Sequence, residues 1–398
     1  MIVGRLRMCA LDLISESVYA LRDISEDSTP EVVPSYPTLS VFTRYLITSR
    51  QASESAWIFF TSDPTTFKPL VMKVLRPFRD LRYDLSGVTE RQRCQFEAFQ
   101  QNSVFTPEVY IGLACLHNQP SEEDHILIGD IIKQPTQAAL EQDAEYALIM
   151  ERLPDDRRFD QLLQDDEGAV QNFLDTLTCH IANLHKHRTP SLTEEESAYW
   201  GSYPQLQRKL EENLAFLALV LDKENSPSMK ATVERLTTGL RQIFTEDRYA
   251  HSLEQRIQAG YIKHCHGDIK SLNIWITPDS ADDQQQHLSV KLLDAIDFNP
   301  LFRNIDILSD FAMLVIDVWA RTCSATFARR MIDNYLQLTH QDDTPTWTIF
   351  TFYLVEKAIV AAAINILFDN QLELGLRLLR LAQEHLNHLL NFWLYQPA

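Results

Sequence analysis

The sequence has little glycine, few positive charges and no closely spaced cysteines. Only 10 of its 398 residues are glycine, and none lies between Gly4 and Gly87. A glycine-rich phosphate-binding loop is therefore excluded from that stretch, and the P-loop pattern GxxxxGK[ST] is absent from the whole sequence. The six cysteines form no CxxC pair, which argues against a zinc site or a disulfide framework and favours reduced thiols in a cytoplasmic protein.

The charge and the apolar content limit the partners that we expect. Lys and Arg number 36 against 55 Asp and Glu, a net charge of −19, and an acidic surface repels a nucleic-acid backbone. Hydrophobic residues make up 45%, enough for a large core. The apolar stretch at the N-terminus is interrupted by Asp12 and Glu16, which makes it a poor signal peptide. The apolar run 358–368 is too short to span a bilayer. We therefore expect a soluble, cytoplasmic protein without membrane or nucleic-acid partners; the oligomeric state is left open.

The sequence changes character near Pro154. Residues 1–37 predict a helix and a polar connector, and residues 38–153 predict mainly strands, interrupted by a helix over 88–102. Residues 154–398 predict mainly helices, with a loop and strand interval over 263–298. We predict an α+β, bilobal architecture with a small antiparallel-sheet N-lobe, a larger helical C-lobe and a hinge near 151–154. The predicted strands are 39–47, 56–62, 70–78, 125–132 and 145–153.

The most specific local pattern is His266-Gly267-Asp268, followed five residues after the aspartate by Asn273. Phosphoryl transfer to a hydroxyl needs a carboxylate that orients the acceptor and takes its proton, and oxygen ligands that hold Mg²⁺ against the phosphates. Asp268 suits the first role and Asn273 the second. A further metal-binding carboxylate is expected after a short strand, and Asp294 follows the apolar segment 290–293 directly. Asp297, three residues later, is the alternative.

Two residues of the first lobe suit nucleotide binding. Lys73 lies in the apolar segment Val71–Leu75, where its cation would hold the α- and β-phosphates. Glu97, on the following predicted helix, would position it. The competing interpretation is an edge-strand lysine that extends into solvent.

Other polar residues are interpreted as structural. Asp306 and Asp310, near a helix start, are expected to support the catalytic loop, and His266 to make backbone hydrogen bonds. Three histidines, His180, His185 and His187, are interpreted as surface residues at a helix end rather than as metal ligands.

Taken together, these motifs resemble the aminoglycoside phosphotransferase and choline kinase superfamily, which has a protein-kinase-like fold. The resemblance runs from about residue 40 to near the C-terminus. It is closest to a bacterial group of uncertain substrate. Four segments carry that closer similarity: Pro107–Gly112, Met150–Arg157, Trp200–Asn213 and Asp294–Arg303.

The resemblance implies that Asp268 is the catalytic base, that Asn273 and Asp294 bind Mg²⁺, and that Lys73 and Glu97 anchor ATP. It also implies that backbone groups of the hinge, at Met150, Glu151 and Leu153, receive adenine. The γ-phosphoryl group would move to a hydroxyl of a small polar molecule.

This chain departs from the superfamily pattern in two ways. The glycine-rich loop that covers the phosphates is missing, and residues 49–55 are the expected substitute. Because that loop is missing, a nucleotide-binding pseudokinase or scaffold is one alternative. Lys270, two residues after Asp268, stands where the antibiotic kinases typically have histidine. Serine/threonine protein kinases have a lysine there that meets the γ-phosphate, so Lys270 is a candidate catalytic residue and a protein acceptor is a second alternative.

Overall fold

In the computed structural model, residues 49–395 are described, except for 53–55, 78, 81–82, 119–125, 142–143, 279–287, 298, 342 and 368–370. The helix and connector predicted over 1–37 and the strand predicted over 39–47 lie outside these residues, as does part of the expected phosphate cover. The chain divides into two compact units, one ending at Pro154 and the other starting at Asp155.

The N-terminal unit is built on an antiparallel sheet. Its strands are β1 Ser49–Ala52, β2 Ala56–Ser62, β3 Pro69–Leu75, β6 Tyr110–Asn118, β7 Ile126–Ile132 and β8 Glu145–Glu151, and the short pair β4 Arg79–Asp80 and β5 Tyr83–Asp84 lies apart. The six strands are ordered β1-β2-β3-β8-β6-β7. The predictions of β2, β3, β7 and β8 are confirmed, whereas β1 and β6 were not predicted.

Alternation along β3 produces the core of this unit. Leu70, Met72 and Val74 are buried and pack with Phe59 and Ile149, whereas Lys73, which lies between them in sequence, is only partly buried. This two-residue period is that of a strand with one apolar face. The sheet therefore directs Lys73 away from its apolar face.

Helix α1, Val88–Phe105, is attached to the sheet partly by polar side chains. The amide nitrogen Nε2 of Gln95 donates to the carbonyl oxygens of Lys73, at 2.6 Å, and Tyr146, at 3.1 Å. Gln95 is buried, and these hydrogen bonds satisfy its amide nitrogen in the interior, whereas its Oε1 has no partner among the described residues. They fix the position of α1 on strands β3 and β8.

The C-terminal unit is mainly helical, as predicted. Its helices are α2 Phe159–Leu162, α3 Glu167–Asn183, α4 Glu194–Trp200, α5 Tyr203–Ala218, α6 Val220–Lys223, α7 Pro227–Phe244, α8 Asp247–Gln258, α9 Pro300–Arg303, α10 Ile307–Thr322, α11 Ala325–Thr339, α12 Thr344–Leu367 and α13 Leu372–Tyr395. Together with the antiparallel sheet of the first unit, these helices confirm the predicted α+β class, with a sheet-based unit followed by a larger helical unit.

Two small antiparallel pairs hold the loops of this unit. Strand β9, Ile262–His264, pairs with β12, Asn304–Asp306, and β10, Ile274–Pro278, pairs with β11, Leu288–Leu292. The segment from 265 to 273 therefore starts at one pair and ends at the other. This is the loop that carries the predicted catalytic residues.

Helix α12 is the most apolar helix of the unit and is longer than the sequence suggested. Its stretch Thr346–Leu367 has a mean hydropathy of 1.7 and is long enough to cross a membrane, which corrects the expectation drawn from the shorter run 358–368. However, 83% of its most apolar window is buried inside the protein. This burial is what the core helix of a globular unit requires.

Candidate active site

The loop between β9 and β10 turns sharply at Gly267, whose φ is +84°. A Cβ atom at this position would lie 2.6 Å from the backbone oxygen of Phe302 and 2.9 Å from Ile296. Only glycine combines a positive φ with this close approach at little cost. The glycine of the predicted motif therefore shapes the turn that presents Asp268.

Asp310, in the first turn of α10, holds the loop backbone. Its Oδ2 accepts from the N–H of His266 at 3.0 Å, and its Oδ1 accepts from the N–H of Gly267 at 2.8 Å. Burial would raise the pKa of Asp310, but the hydrogen bond and charge of His185, with the N–H of Gly267, outweigh it and lower that pKa below its usual value. These contacts agree with the structural role expected for Asp310.

His185 was predicted to lie on the surface, and this prediction is wrong. A π-helical turn, Leu184–Arg188, follows α3 and directs the imidazole into the core, where it is fully buried. One ring nitrogen lies 2.6 Å from the hydroxyl of Tyr335 and the other lies 3.2 Å from Oδ2 of Asp310. His187 is exposed, as predicted.

His185, Cys265 and Asp310 are close enough to hold a metal ion, and they form the one such group of histidine, cysteine and acidic residues in the described part of the chain. Both nitrogens of His185 and both oxygens of Asp310 already have hydrogen-bond partners, and burial raises the pKa of the Cys265 thiol well above its usual value. A neutral thiol is a poor ligand. We therefore interpret the group as support for the loop.

His266 connects the catalytic loop to the segment after β11. Its Nδ1 accepts from the backbone N–H of Asp268 at 3.3 Å, and its Nε2 donates to the carbonyl oxygen of Leu293 at 3.1 Å. Burial lowers the pKa of His266 despite the negative charges of Asp310, Asp268 and Asp294, so the imidazole is neutral at physiological pH. A neutral ring that donates at one nitrogen and accepts at the other is suited to positioning the loop.

Asp268 is fully buried, and its two carboxylate oxygens differ. Its Oδ2 accepts from Nζ of Lys270 at 2.7 Å and from Nδ2 of Asn273 at 3.1 Å. Its Oδ1 has no hydrogen-bond partner in the described part of the chain. A buried carboxylate oxygen without a donor is costly, so one that persists requires an explanation such as a bound ligand. The structure thus brings Asp268, Lys270 and Asn273 together.

Asp294 follows β11 in a left-handed backbone conformation with φ at +61°. The N–H of the preceding Leu293 donates to the backbone oxygen of Asn273 at 2.9 Å, which joins the two predicted metal-binding segments. Such a backbone conformation outside glycine is uncommon and is often found at functional sites.

Asn273 and Asp294 have the donor atoms that Mg²⁺ prefers. The Nδ2 of Asn273 donates to the backbone oxygen of Asp268 at 3.0 Å as well as to its carboxylate, which leaves the amide oxygen Oδ1 for a cation. A carboxylate and an amide oxygen are hard ligands that suit this ion. Asp297, the alternative, lies three residues beyond Asp294, where its backbone oxygen accepts from Arg303 at 2.7 Å.

In the N-terminal unit, the side chain of α1 that reaches β3 is Gln95 rather than Glu97. The carboxylate of Glu97 lies 2.6 Å from the guanidinium of Arg93, one turn earlier on the partly exposed side of the helix. Two positions along a helix correspond to a rotation of about 200° around its axis, so Gln95 and Glu97 lie on nearly opposite sides. The predicted pairing of Glu97 with Lys73 remains a prediction.

The hinge residues have unequal hydrogen-bonding capacity. The N–H of Glu151 donates to the backbone oxygen of Val109 at 2.9 Å, and that of Arg152 to Pro69 at 3.0 Å. Of the predicted adenine-binding residues, Met150 is paired within the sheet, and the N–H of Glu151 is already hydrogen-bonded to Val109. Leu153 is the one whose N–H has no bond within the described residues.

Sequence reasoning missed one further loop contact. The Oδ2 of Asp317 accepts from the N–H of Ser271 at 2.8 Å, and its Oδ1 accepts from Arg321 at 2.8 Å. Asp317 lies seven residues, or two turns, after Asp310, so both carboxylates lie on one side of α10. This spacing is the signal that could have identified it.

Several solved structures are similar to this chain. A choline kinase from Cryptosporidium parvum Iowa II is 11% identical, with a TM-score of 0.44, over 96% of this chain and 100% of that chain. A Plasmodium vivax ethanolamine kinase is 11% identical, with a TM-score of 0.42, over 84% and 81%. An ADP-bound aminoglycoside phosphotransferase is 15% identical, with a TM-score of 0.38, over 86% and 93%.

No protein-family model and no curated protein sequence matches the chain. The assignment of a function therefore depends on the chain's own side chains.

Proposed function

We propose that this protein is an ATP-dependent phosphotransferase that moves the γ-phosphoryl group to a hydroxyl of a small polar molecule. One observation carries the proposal: the buried Asp268 has one oxygen held by Lys270 and Asn273, and its other oxygen has no partner among the described residues. An acceptor hydroxyl that donates to Oδ1 would satisfy the orphaned atom. The same contact would orient the hydroxyl and receive its proton.

The surrounding contacts preorganise this carboxylate. Lys270 and Asn273 fix the plane of Asp268 through Oδ2, while His266 and Asp310 fix the backbone that carries it. Little reorganisation is then needed when the acceptor binds, and this is the main way in which a protein accelerates phosphoryl transfer. In this proposal Lys270 also neutralises charge on the transferred group.

Asn273 and Asp294 would hold Mg²⁺, which supplies charge neutralisation of the phosphates when it is bound. The amide oxygen of Asn273 and the carboxylate of Asp294, in its left-handed conformation, fit this role by their chemistry. For the nucleotide itself, we propose that Lys73 contacts the phosphates and that the N–H of Leu153 donates to adenine. Leu153 is chosen because its donor is not used by the sheet.

The experiment compares the wild-type protein with Asp268→Asn in a screen for acceptor-dependent ADP formation from ATP and Mg²⁺. Because Asn cannot take the proton, we expect turnover to fall by about 10²–10⁴-fold. Folding should be retained, because the amide oxygen can still accept from Lys270. Turnover of a true acceptor at the wild-type rate by Asp268→Asn would overturn the assignment of the base.

Binding of the nucleotide is tested separately by the thermal shift that ATP and Mg²⁺ produce. A shift without turnover of any acceptor would favour a nucleotide-binding pseudokinase or scaffold. The presence of Lys73, Asp268, Asn273 and Asp294 together argues against that alternative, because a protein without catalysis has little need for all four.

A protein acceptor is the second candidate, and Lys270 is the observation that favours it. Its Nζ lies 2.7 Å from Asp268, in the position where serine/threonine protein kinases carry lysine. Incubation of the protein with labelled ATP and a lysate, followed by separation of protein from metabolites, distinguishes the two acceptors. Label in the protein fraction that disappears with Asp268→Asn would favour the second candidate.

A further inference from the structure

A buried cluster of charged residues lies where helices α5 and α12 of the C-terminal unit pack together. Lys209 is 3% exposed, Glu356 is 1% exposed and Lys357 is 7% exposed. Burial of ionised groups is costly unless each is paired and hydrogen-bonded. The contacts of each group therefore indicate whether the cluster is complete.

Glu356 and Lys209 neutralise each other. The Oε2 of Glu356 lies 3.4 Å from Nζ of Lys209, and its Oε1 accepts from Nδ2 of Asn213 at 3.0 Å. The neighbouring Glu212, which is also buried, accepts from Arg208 at 3.0 Å. Within this part of the cluster, each acidic group has a basic partner.

Lys357 has no such partner. In the described part of the chain, its ammonium makes neither a hydrogen bond nor an ion pair, although the residue is more than nine-tenths buried. Burial, and then the positive charge of Lys209, lower the pKa of Lys357, while the negative charges of Glu356, Asp310 and Asp268 oppose that shift. Helix α12, which carries Lys357, packs against α10, whose Asp310 holds the catalytic loop.

The nearby acidic groups are already engaged. Asp310 accepts from His266 and Gly267, and Glu356 is paired with Lys209. Asp268 accepts from Lys270 through Oδ2, and its free Oδ1 is the atom assigned to the acceptor hydroxyl. Among the described residues, Lys357 thus lacks an anionic partner, and the Oδ1 of Asp268 lacks a donor.

One ligand could supply both missing partners, an anion for Lys357 and a hydrogen-bond donor for the Oδ1 of Asp268. We propose that the acceptor carries an anionic group, a carboxylate or a phosphate, and that Lys357 binds this group while the acceptor's hydroxyl donates to Asp268. This inference rests on the proposed phosphotransferase function and specifies the substrate class of the same site. It predicts hydroxy acids or sugar phosphates in preference to neutral polyols and amino alcohols.

The test measures binding rather than turnover. With ADP and Mg²⁺ present, the wild-type protein is titrated with glycerate and glycerol 3-phosphate, with glycerol, and with 3-amino-1,2-propanediol, which share a three-carbon skeleton and differ in charge. A wider panel of hydroxy acids, sugar phosphates, polyols and amino alcohols extends each class. Ligands are used up to about 10 mM, above the usual range of KM values, and the thermal shift is recorded.

We expect the stabilising ligands to be anionic. Lys357→Met should weaken their binding about tenfold or more, as expected for loss of a charge-assisted hydrogen bond. Lys357→Arg should retain most of it, and the exposed Lys230→Met is the matched control without effect. Affinity for ADP should be the same in all four proteins.

Three results would overturn the proposal: preferential binding of neutral or cationic ligands, anionic binding that survives Lys357→Met, or no anionic binding at the highest concentration. A purely structural role predicts a lower melting temperature for Lys357→Met without ligand and an unchanged ligand shift. If Lys357→Met does not fold, Lys357→Gln replaces it in the same titrations.

The failure of this inference differs from a failure of the proposed function. Loss of anion binding in Lys357→Met, without ADP formation from any bound acceptor, would support the binding site and contradict the kinase assignment. ADP formation with a neutral or cationic acceptor that is abolished by Asp268→Asn would support the kinase assignment and contradict the anion-binding site.

Discussion

The C-terminal unit holds its candidate catalytic side chains with buried hydrogen bonds, whereas the N-terminal unit carries its candidate nucleotide-binding residues on partly exposed surfaces. Asp268 is fully buried and its loop is held by Asp310, His266 and Asp317. Lys73 is only partly buried, and Glu97 pairs with Arg93 at the side of its helix. The two regions therefore differ in how strongly the fold determines their chemistry.

This difference follows from what each group must do. A catalytic carboxylate is effective when its position is fixed before the substrate binds, because reorganisation adds to the barrier. A residue that contacts a mobile nucleotide can become ordered upon binding. The glycine-free stretch between Gly4 and Gly87 is a departure from the expected pattern on the nucleotide side, whereas the other departure, Lys270, lies on the catalytic loop. Substitutions in the two units can test this contrast.

The largest effect on stability is expected for Asp310→Ala. The change removes the acceptor of two backbone N–H groups and the partner of buried His185. Loss of one member of a buried polar pair costs about 3–5 kcal/mol, measured as the free energy of unfolding in urea. The matched control is Asp333→Ala, which breaks a largely exposed pair with Arg329 and should cost less than about 1 kcal/mol. Equal costs for both variants would contradict the proposed support of the loop.

Acid should destabilise the C-terminal unit well above the range in which carboxylates titrate. Burial lowers the pKa of His264 and of His385 from 6.5 to about 4, with help from the charges of Arg303 and His388 respectively. The unfolded chain then binds more protons below pH 6.5, so stability is complete above that pH and falls as the pH drops towards about 4.

Unfolding free energies at several pH values between 7.5 and 4.5 measure this dependence. His385→Leu should flatten it, and the exposed His388→Gln should change it little. If the free energy of unfolding fell more steeply with decreasing pH in His385→Leu, His385 would not be a cause of the acid sensitivity.

A smaller loss is expected for Gln95→Ala in the N-terminal unit. The variant leaves the carbonyl oxygens of Lys73 and Tyr146 without this donor, which should cost about 1–3 kcal/mol of unfolding free energy. Gln100→Ala, on the exposed side of the same helix, is the control. If both variants unfold at the same urea concentration, Gln95 does not anchor α1 to the sheet.

The smallest effect is expected for Glu97→Gln. An exposed helical pair such as Arg93 and Glu97 contributes about 0.3–0.5 kcal/mol. If Glu97 acts only in that pair, Glu97→Gln should lower the free energy of unfolding by about this amount. The KM for ATP should then stay within about threefold of the wild-type value. An increase as large as that of Lys73→Met would instead establish Glu97 as the partner of Lys73 and weaken the contrast between the two units.

Much of the fold was predictable because its elements carry strong local patterns. Strands β2, β3, β7 and β8 were identified as segments rich in β-branched and aromatic residues, and helix α1 as the helical segment that interrupts them. Strand β1 is short, and β6 is a strand whose sequence lacks clear alternation, so both were missed. Helix α12 was underestimated because polar residues divide an apolar helix that is buried on nearly all sides.

The candidate site was predictable where function imposes close spacing. Asp268, Lys270 and Asn273 lie within six residues, and the structure brings them into contact. His185 and Lys357 lie far from them in sequence, on helices, and their residue types alone gave no signal. Their significance depends on burial and on partners supplied by other segments.

The sequence by itself determined the two-part α+β organisation, the turn at Gly267 and the order of the candidate catalytic residues, because these depend on local periodicity, backbone conformation and short spacing. Only the tertiary structure decided that His185 is buried, that Gln95 rather than Glu97 contacts the β3 backbone, and that Lys357 is buried without a partner among the described residues. These features depend on packing between distant segments, which sets the burial and hydrogen bonding of each group.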